Sequence, residues 1–162
     1  NTAIGDLLSE VHRLDERIAE YDRHIAVMAQ ADERCRRLMG MPGIGEKTAT
    51  ALMASIGNGH DFKCGRQLAA WLGLVPGQYS SGGKQRLGRI TKAGDSYLRM
   101  LLILGARSVV VAAKKKADRL SRWVTELVNR RGYWKAVVAV AAKNARMAWA
   151  MLSKGEAFEP IS

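Results

Sequence analysis

Met100-Leu101-Leu102-Ile103-Leu104-Gly105-Ala106-Arg107-Ser108-Val109-Val110-Val111-Ala112-Ala113 is the most apolar run of the chain. Its 14 residues fall short of the roughly 20 needed to cross a bilayer, and Arg107 interrupts it. The run therefore reads as a buried helix, and no membrane partner is expected. Leu98, Leu101, Leu102 and Val109 share one face and extend it to 95–113, and Lys114, Lys115 and Lys116 place cations at its C-terminal end, where the helix dipole favours them. Downstream, Leu120, Trp123, Val124, Leu127 and Val128 mark a second helix closed by Gly132. A third runs from about Tyr133 to Ser153, lined by small residues and anchored by Trp134 and Trp149. Upstream, Glu46 to Ile56 is helical with Ala49, Leu52 and Met53 on one face, ended by Asn58-Gly59, and a short helix spans Gly65 to Leu72. Val75 to Gly94 is the longest stretch without helical periodicity. No segment alternates with period two for long enough to require a sheet, so an all-α body is predicted over 39–155, with a tail at 156–162.

The first 38 residues have a different period. Ile4, Val11, Ile18 and Ile25 fall at a positions of a heptad, and Leu7, Leu14, Tyr21 and Met28 at d. β-branched residues at a with mostly Leu at d favour a two-stranded coiled coil, so residues 1–38 are predicted to be a coiled-coil helix through which the chain forms a homo-oligomer. Folding back on the same domain and antiparallel pairing remain open. The chain starts at Asn1 in mid-helix style, which reads as a piece of something longer.

Charge separates the same two parts. The chain holds 26 Lys and Arg against 15 Asp and Glu, a net charge of +11. The stem has six basic and eight acidic residues, and the rest has twenty basic and seven acidic. A body of that sign points to a polyanion, because each cation that neutralises a phosphate releases counterions. Cys35 and Cys64 form no CxxC pair, and His12, His24 and His60 are scattered. These features indicate a reducing compartment and argue against a disulfide framework or a zinc site.

Two motifs can carry the chemistry. Met41-Pro42-Gly43-Ile44-Gly45-Glu46-Lys47-Thr48 places two glycines around an apolar residue just before a helix, the pattern of a helix-hairpin-helix element. Gly43 and Gly45 would let a phosphate approach the backbone, the helix N-terminus would offer free amides, and Lys47 and Thr48 would add contacts. Such contacts grip backbone and read no sequence. A plain helical connection with glycine used for geometry is the alternative. In the second motif, Tyr79-Ser80-Ser81-Gly82-Gly83-Lys84-Gln85-Arg86-Leu87-Gly88-Arg89-Ile90-Thr91-Lys92, a hydroxyl pair precedes two glycines and then four cations. As a binding loop it suits phosphate through Lys84, Arg86, Arg89 and Lys92. As a catalytic loop it offers a serine beside cations that stabilise an alkoxide and a phosphoryl-transfer transition state, with Tyr79 as a rival nucleophile.

The blocks Leu72-Gly73-Leu74-Val75-Pro76, Ser80-Ser81-Gly82-Gly83-Lys84, Gly88-Arg89-Ile90-Thr91-Lys92-Ala93-Gly94-Asp95 and Tyr97-Leu98-Arg99 occur in one order. Together they resemble the C-terminal transposase domain of the insertion-sequence one-ten family and its eleven-eleven sister group, with which the pilin-gene inverting recombinase belongs. The likeness covers roughly residues 39–155, includes the Pro-Gly-Ile-Gly hairpin, and extends to the preceding coiled coil. It implies a DNA recombinase of a bacterial insertion sequence, cytoplasmic and nucleoid-associated, that binds DNA and a structured non-coding guide RNA. It further implies that the serine of the Ser-Gly step, Ser81 with Ser80 a close alternative, attacks a phosphodiester to form a phosphoserine. Arg99 joins the basic residues expected to contact nucleic acid. The family pairs this domain with an N-terminal nuclease-like domain whose Asp-Glu-Asp-Asp set binds Mg²⁺. Here Glu46, Asp61, Asp95, Asp118, Glu126, Glu156 and Glu159 are dispersed, without metal-ligand spacing. No cofactor is expected in this chain, which should bind nucleic acid but cut it poorly alone. A non-catalytic helix-hairpin-helix clamp that dimerises through its stem is the other reading.

Overall fold

A computed structural model describes residues 2–81 and 84–159. The heptad segment forms α1 (Thr2–Ala31), and Asp32 stops it. The backbone of Asp32 is extended and its carboxylate accepts from the Arg34 amide, capping α2 (Glu33–Met39). The Arg34 guanidinium bonds the same carboxylate at 2.8 Å and holds its pKa down to about 2. The stem anticipated over 1–38 is thus two helices, and Cys35 and Leu38 of α2 are buried in the body.

The remaining elements are α3 (Glu46–Ile56), α4 (Gly65–Trp71), β1 (Pro76–Ser81), β2 (Lys84–Ile90), α5 (Ser96–Ala113), α6 (Arg119–Arg131) and α7 (Tyr133–Lys154). The body is mostly helical, as its periodicities imply. At its centre α7 packs against α5, α4 and α6. Ala136, Ala141, Ala145 and Ala148 line the buried face of α7, with Val137 and Val140 between them. Residues this small let neighbouring helix axes come close. Asp95 caps α5 by accepting from the Tyr97 and Leu98 amides, and Asp118 caps α6 through the Ser121 amide and hydroxyl.

The apolar helix α5 is buried along one face only. Leu98, Leu102, Ala106, Val109, Val110 and Ala113 are inside, whereas Tyr97, Met100, Leu104 and Val111 are exposed. By length and composition this helix could cross a membrane, yet it packs on α3, α6 and α7 as a core helix.

Backbone contact holds the 40–45 connection to this core. Gly43 has φ +83°, and a Cβ there would stand 2.7 Å from the Gly105 carbonyl oxygen. A Cβ on Gly105 would in turn overlap the Gly43 carbonyl oxygen. Met41 and Ile44 are buried on either side, and buried Asn144 of α7 donates to the Pro42 carbonyl at 3.0 Å. The Trp149 indole donates to the carbonyls of Gly59 and Phe62, tying the α3–α4 connection to α7.

The expectation of no sheet is corrected. Strands β1 and β2 pair antiparallel, with Tyr79 opposite Arg86 and Ser81 opposite Lys84, and with an irregularity between Pro76 and Gln78. The hairpin stands away from the core: Gln78, Tyr79, Arg86, Leu87 and Arg89 are all exposed. A strand covered on neither face has no reason to alternate apolar and polar residues, so the period-two signal is missing.

The Gly43–Gly105 contact yields a test of sign. Glycine to alanine in an ordinary helix interior stabilises by about 1 kcal/mol. Gly105→Ala should instead destabilise by about 2 kcal/mol through overpacking, read from the urea midpoint. Gly5→Ala on α1, where a Cβ meets nothing, is the control and should not destabilise.

Candidate nucleic-acid interface

The hairpin is mounted on a braced base. The Thr91 amide donates to the Val75 carbonyl at 3.0 Å and the Lys92 amide to the Gly73 carbonyl at 3.2 Å. Gly73 and Gly94 both have positive φ and no room for a Cβ: one packs on the backbone of Ala93, the other on that of Trp71. Arg99 of α5 closes the base by donating to the carbonyls of Leu72, at 3.1 Å, and Ala93, at 2.7 Å. Arg99, a predicted phosphate contact, thus braces the base of the arm through Nη1.

Beyond the base, the arm presents Arg86 and Arg89 to solvent, and Lys92 is exposed at the base itself. None of the three forms an ion pair among the described residues. Tyr79 is 74 % exposed, and its ring lies over Gly88, where a Cβ would be 2.9 Å away. Leu87 is exposed as well. Ser81 is the last described residue of β1, in register with Lys84, and Ser80 is in register with Gln85. Gly82 and Gly83, and the side chains of residues 80–85, lie outside what is described.

The second predicted site is arranged differently from its expectation. Lys47 is paired with Asp22 of α1 at 2.7 Å, which raises its pKa, and Thr48 is buried. The missing side chain of Gly43 serves the approach to α5. Gly45, at the N-cap of α3, has open space beside it and no side-chain cap on the helix. These residues border a shallow hollow of about 350 Å³ shared with Leu101, Leu104 and Ser108 of α5. Hairpin and loop are thus separate features, one carried beyond the N-terminus of α5 and the other packed on its middle.

Further cations escaped the sequence reading. Besides Arg99, helices α5 and α7 carry Arg107, Lys135, Lys143, Arg146 and Lys154, and neither contains a carboxylate. Lys143 lies over the Trp123 ring at 5.2 Å and Arg107 over the Trp134 ring at 5.7 Å. Trp134, expected as a core anchor, is 63 % exposed. It is in phase with the buried Val137, Ala141 and Ala148, so periodicity alone places it inside. It stands in the first turn of α7, however, where Tyr133 and Arg107 are its ring partners.

With this geometry in place, comparison with known proteins gives the lineage. The model of the IS116/IS110/IS902 transposase family matches residues 35–122. The chain belongs to that family. It is 48% identical over 157 residues to a probable family 20 transposase of Pseudomonas aeruginosa, covering 97% of this chain and 46% of the relative. It is 43% identical over 152 residues to the transposase for insertion sequence element IS1111A of Coxiella burnetii, covering 94% and 42%. A more distant relative is the pilin gene-inverting protein of Moraxella bovis, 26% identical over 133 residues, covering 80% and 40%. The chain therefore spans under half the length of these relatives. The family match begins at Cys35, in α2, and takes in the braced hairpin, all of α5 and the start of α6.

The family resemblance places its Mg²⁺ in a separate N-terminal domain. No three His, Cys, Asp or Glu side chains among the described residues converge as a metal site would require.

The arm and the loop are separable by charge. Arg86→Glu with Arg89→Glu should weaken duplex binding and lower the log–log salt slope by about 2, roughly one for each lost phosphate contact. Lys47→Ala should leave the slope nearly unchanged, since Asp22 already holds that ammonium. Binding isotherms across a salt series give both numbers.

Proposed function

We propose that this chain is the DNA-binding, serine-bearing C-terminal part of a DNA recombinase of a bacterial insertion sequence. The observation that carries the reading is the braced hairpin, which holds Ser80 and Ser81 at the far end of an exposed basic arm. A two-stranded ribbon of this kind is narrow enough for the major groove. Arg86 and Arg89 along the ribbon and Lys92 at its base grip phosphates, and the contacts of Gly73, Gly94 and Arg99 fix its direction. Rigid positioning of a nucleophile against a phosphodiester supplies much of what phosphoryl transfer requires.

The step we assign to Ser81 is a balanced exchange of esters. Its Oγ forms a bond to phosphorus while one phosphorus–oxygen bond to a sugar breaks. The serine proton passes to a base, and the departing sugar oxygen takes up a proton. Attack by a second sugar hydroxyl then releases the serine and joins the new strand. Cations beside the phosphate offset the charge that develops on its oxygens. Ser80 is the neighbouring alternative.

The finer parts of the reading come from the family resemblance. An N-terminal acidic domain carrying Mg²⁺ would complete the catalytic site, a structured non-coding RNA would guide the choice of DNA, and the setting is the bacterial cytoplasm near the nucleoid. Residues 2–21 of α1 are exposed, with Ile4, Leu7, Val11, Leu14 and Ile18 uncovered along one stripe. That stripe supports homo-oligomerisation through α1. A non-catalytic helix-hairpin-helix clamp is the competing reading, in which the connection between α2 and α3 does the gripping.

The two readings differ at one oxygen. In a protein of the relatives' full length, Ser81→Ala should abolish strand exchange and the covalent protein–DNA adduct while DNA binding persists. Ser80→Ala should retain both exchange and adduct. Exchange that survives Ser81→Ala removes the nucleophile assignment.

A further inference from the structure

The corner between α6 and α7 is an exposed surface for which the hairpin has no use. Helix α6 ends in Arg130 and Arg131, Gly132 turns the chain with φ +84°, and α7 opens with Tyr133, Trp134 and Lys135. Trp134 is 63 % exposed, a large apolar area for a surface side chain. Its ring is steadied by Tyr133, edge-on at a centroid distance of 5.1 Å, and by Arg107 of α5. Arg107, Arg130, Arg131 and Lys135 are exposed, and none has a hydrogen bond or ion pair among the described residues. No carboxylate occurs between Glu126 and Glu156, so this stretch of chain supplies nothing acidic to neutralise them. The first turn of α7 contains no acidic residue, and no side chain caps it.

An indole contacted only by Tyr133 and Arg107 among the described rings and cations, and still largely exposed, suits a flat, polarisable ring. Four unpaired cations around it suit repeated negative charge. A nucleic-acid strand with unpaired bases offers both, whereas a base within a duplex already has both faces stacked. Arg107 lies eight residues beyond Arg99, about 12 Å along α5 from the brace of the hairpin. A strand leaving a duplex held by the arm can therefore run along α5 to this corner.

We propose that Trp134 is a stacking platform for an unpaired base, with Arg107, Arg130, Arg131 and Lys135 holding the flanking phosphates. The inference rests on the nucleic-acid-binding reading above and adds a second, single-strand site to it. The shared chemistry is a base with its phosphates, from a displaced DNA strand or from an unpaired stretch of RNA.

The test uses the whole chain with three probes of one sequence: single-stranded DNA, single-stranded RNA and duplex DNA. Trp134→Ala should weaken binding of at least one single strand by roughly 5- to 100-fold and leave the duplex unchanged. Trp134→Phe should restore most of the loss, since stacking needs an aromatic face and not an indole. Whichever single strand loses affinity identifies the source. An unchanged affinity for both single strands, or an equal loss on single strands and duplex, overturns the proposal. Its failure is distinct from failure of the hairpin reading, which would appear as wild-type duplex binding insensitive to Arg86 and Arg89.

Discussion

The backbone of the 40–45 connection touches the backbone of α5 at Gly43 and Gly105, and much of the molecule is oriented by that contact. Two chains meeting without side chains between them allow little rotation or slip, because any added atom overlaps a carbonyl. The contact fixes where α3 leaves the connection, and α3 is the element on which α1 rests. Asn144 extends the constraint to α7 by bonding the Pro42 carbonyl from inside the core. Stem, core pair and connection are thus set from one place near the middle of α5. A second glycine-dependent contact, at Gly73 and Gly94, aims the hairpin from the N-terminal end of the same helix.

Charge is sorted over this frame in a way that folding alone does not require. Part of the charge of α1 is answered, Glu10 by Arg13 of the same helix and Asp22 by Lys47 of α3. Helices α5 and α7 have no acid to answer theirs, and the hairpin cations lack ion-pair partners among the described residues. Uncompensated positive charge costs stability through self-repulsion, and a polyanionic partner relieves it. Two kinds of surface result. The arm is a narrow ribbon of cations suited to a groove, whereas the α6–α7 corner sets an exposed aromatic among cations.

The family was legible before any coordinate, since several spaced blocks around the Ser-Gly-Gly-Lys step occur in order. Much of the candidate site was not. Lys47, Thr48 and Arg99 look like free phosphate ligands in a linear sequence, yet an ion pair, burial and a pair of carbonyls occupy them. Each of these partners lies far away along the chain or across a turn, and local spacing carries no trace of it. Trp134 shows the opposite error: its helical phase places it inside, and its position at the edge of the body leaves it outside.

What the sequence by itself determined was the helical periodicity, the apolar stripe of α1 and the excess of positive charge. All of these are local or additive properties, and the chain states them directly. Only the tertiary structure decided that the Ser-Gly-Gly-Lys segment is an antiparallel arm and that α5 is buried on one face alone. It also decided that Gly43 meets Gly105. A hairpin solvated on both faces has no pattern to display, and a contact between two glycines leaves no side chain to announce it. The physical reason is the same in each case: pairing and close approach between distant segments depend on three-dimensional geometry that residue order does not express.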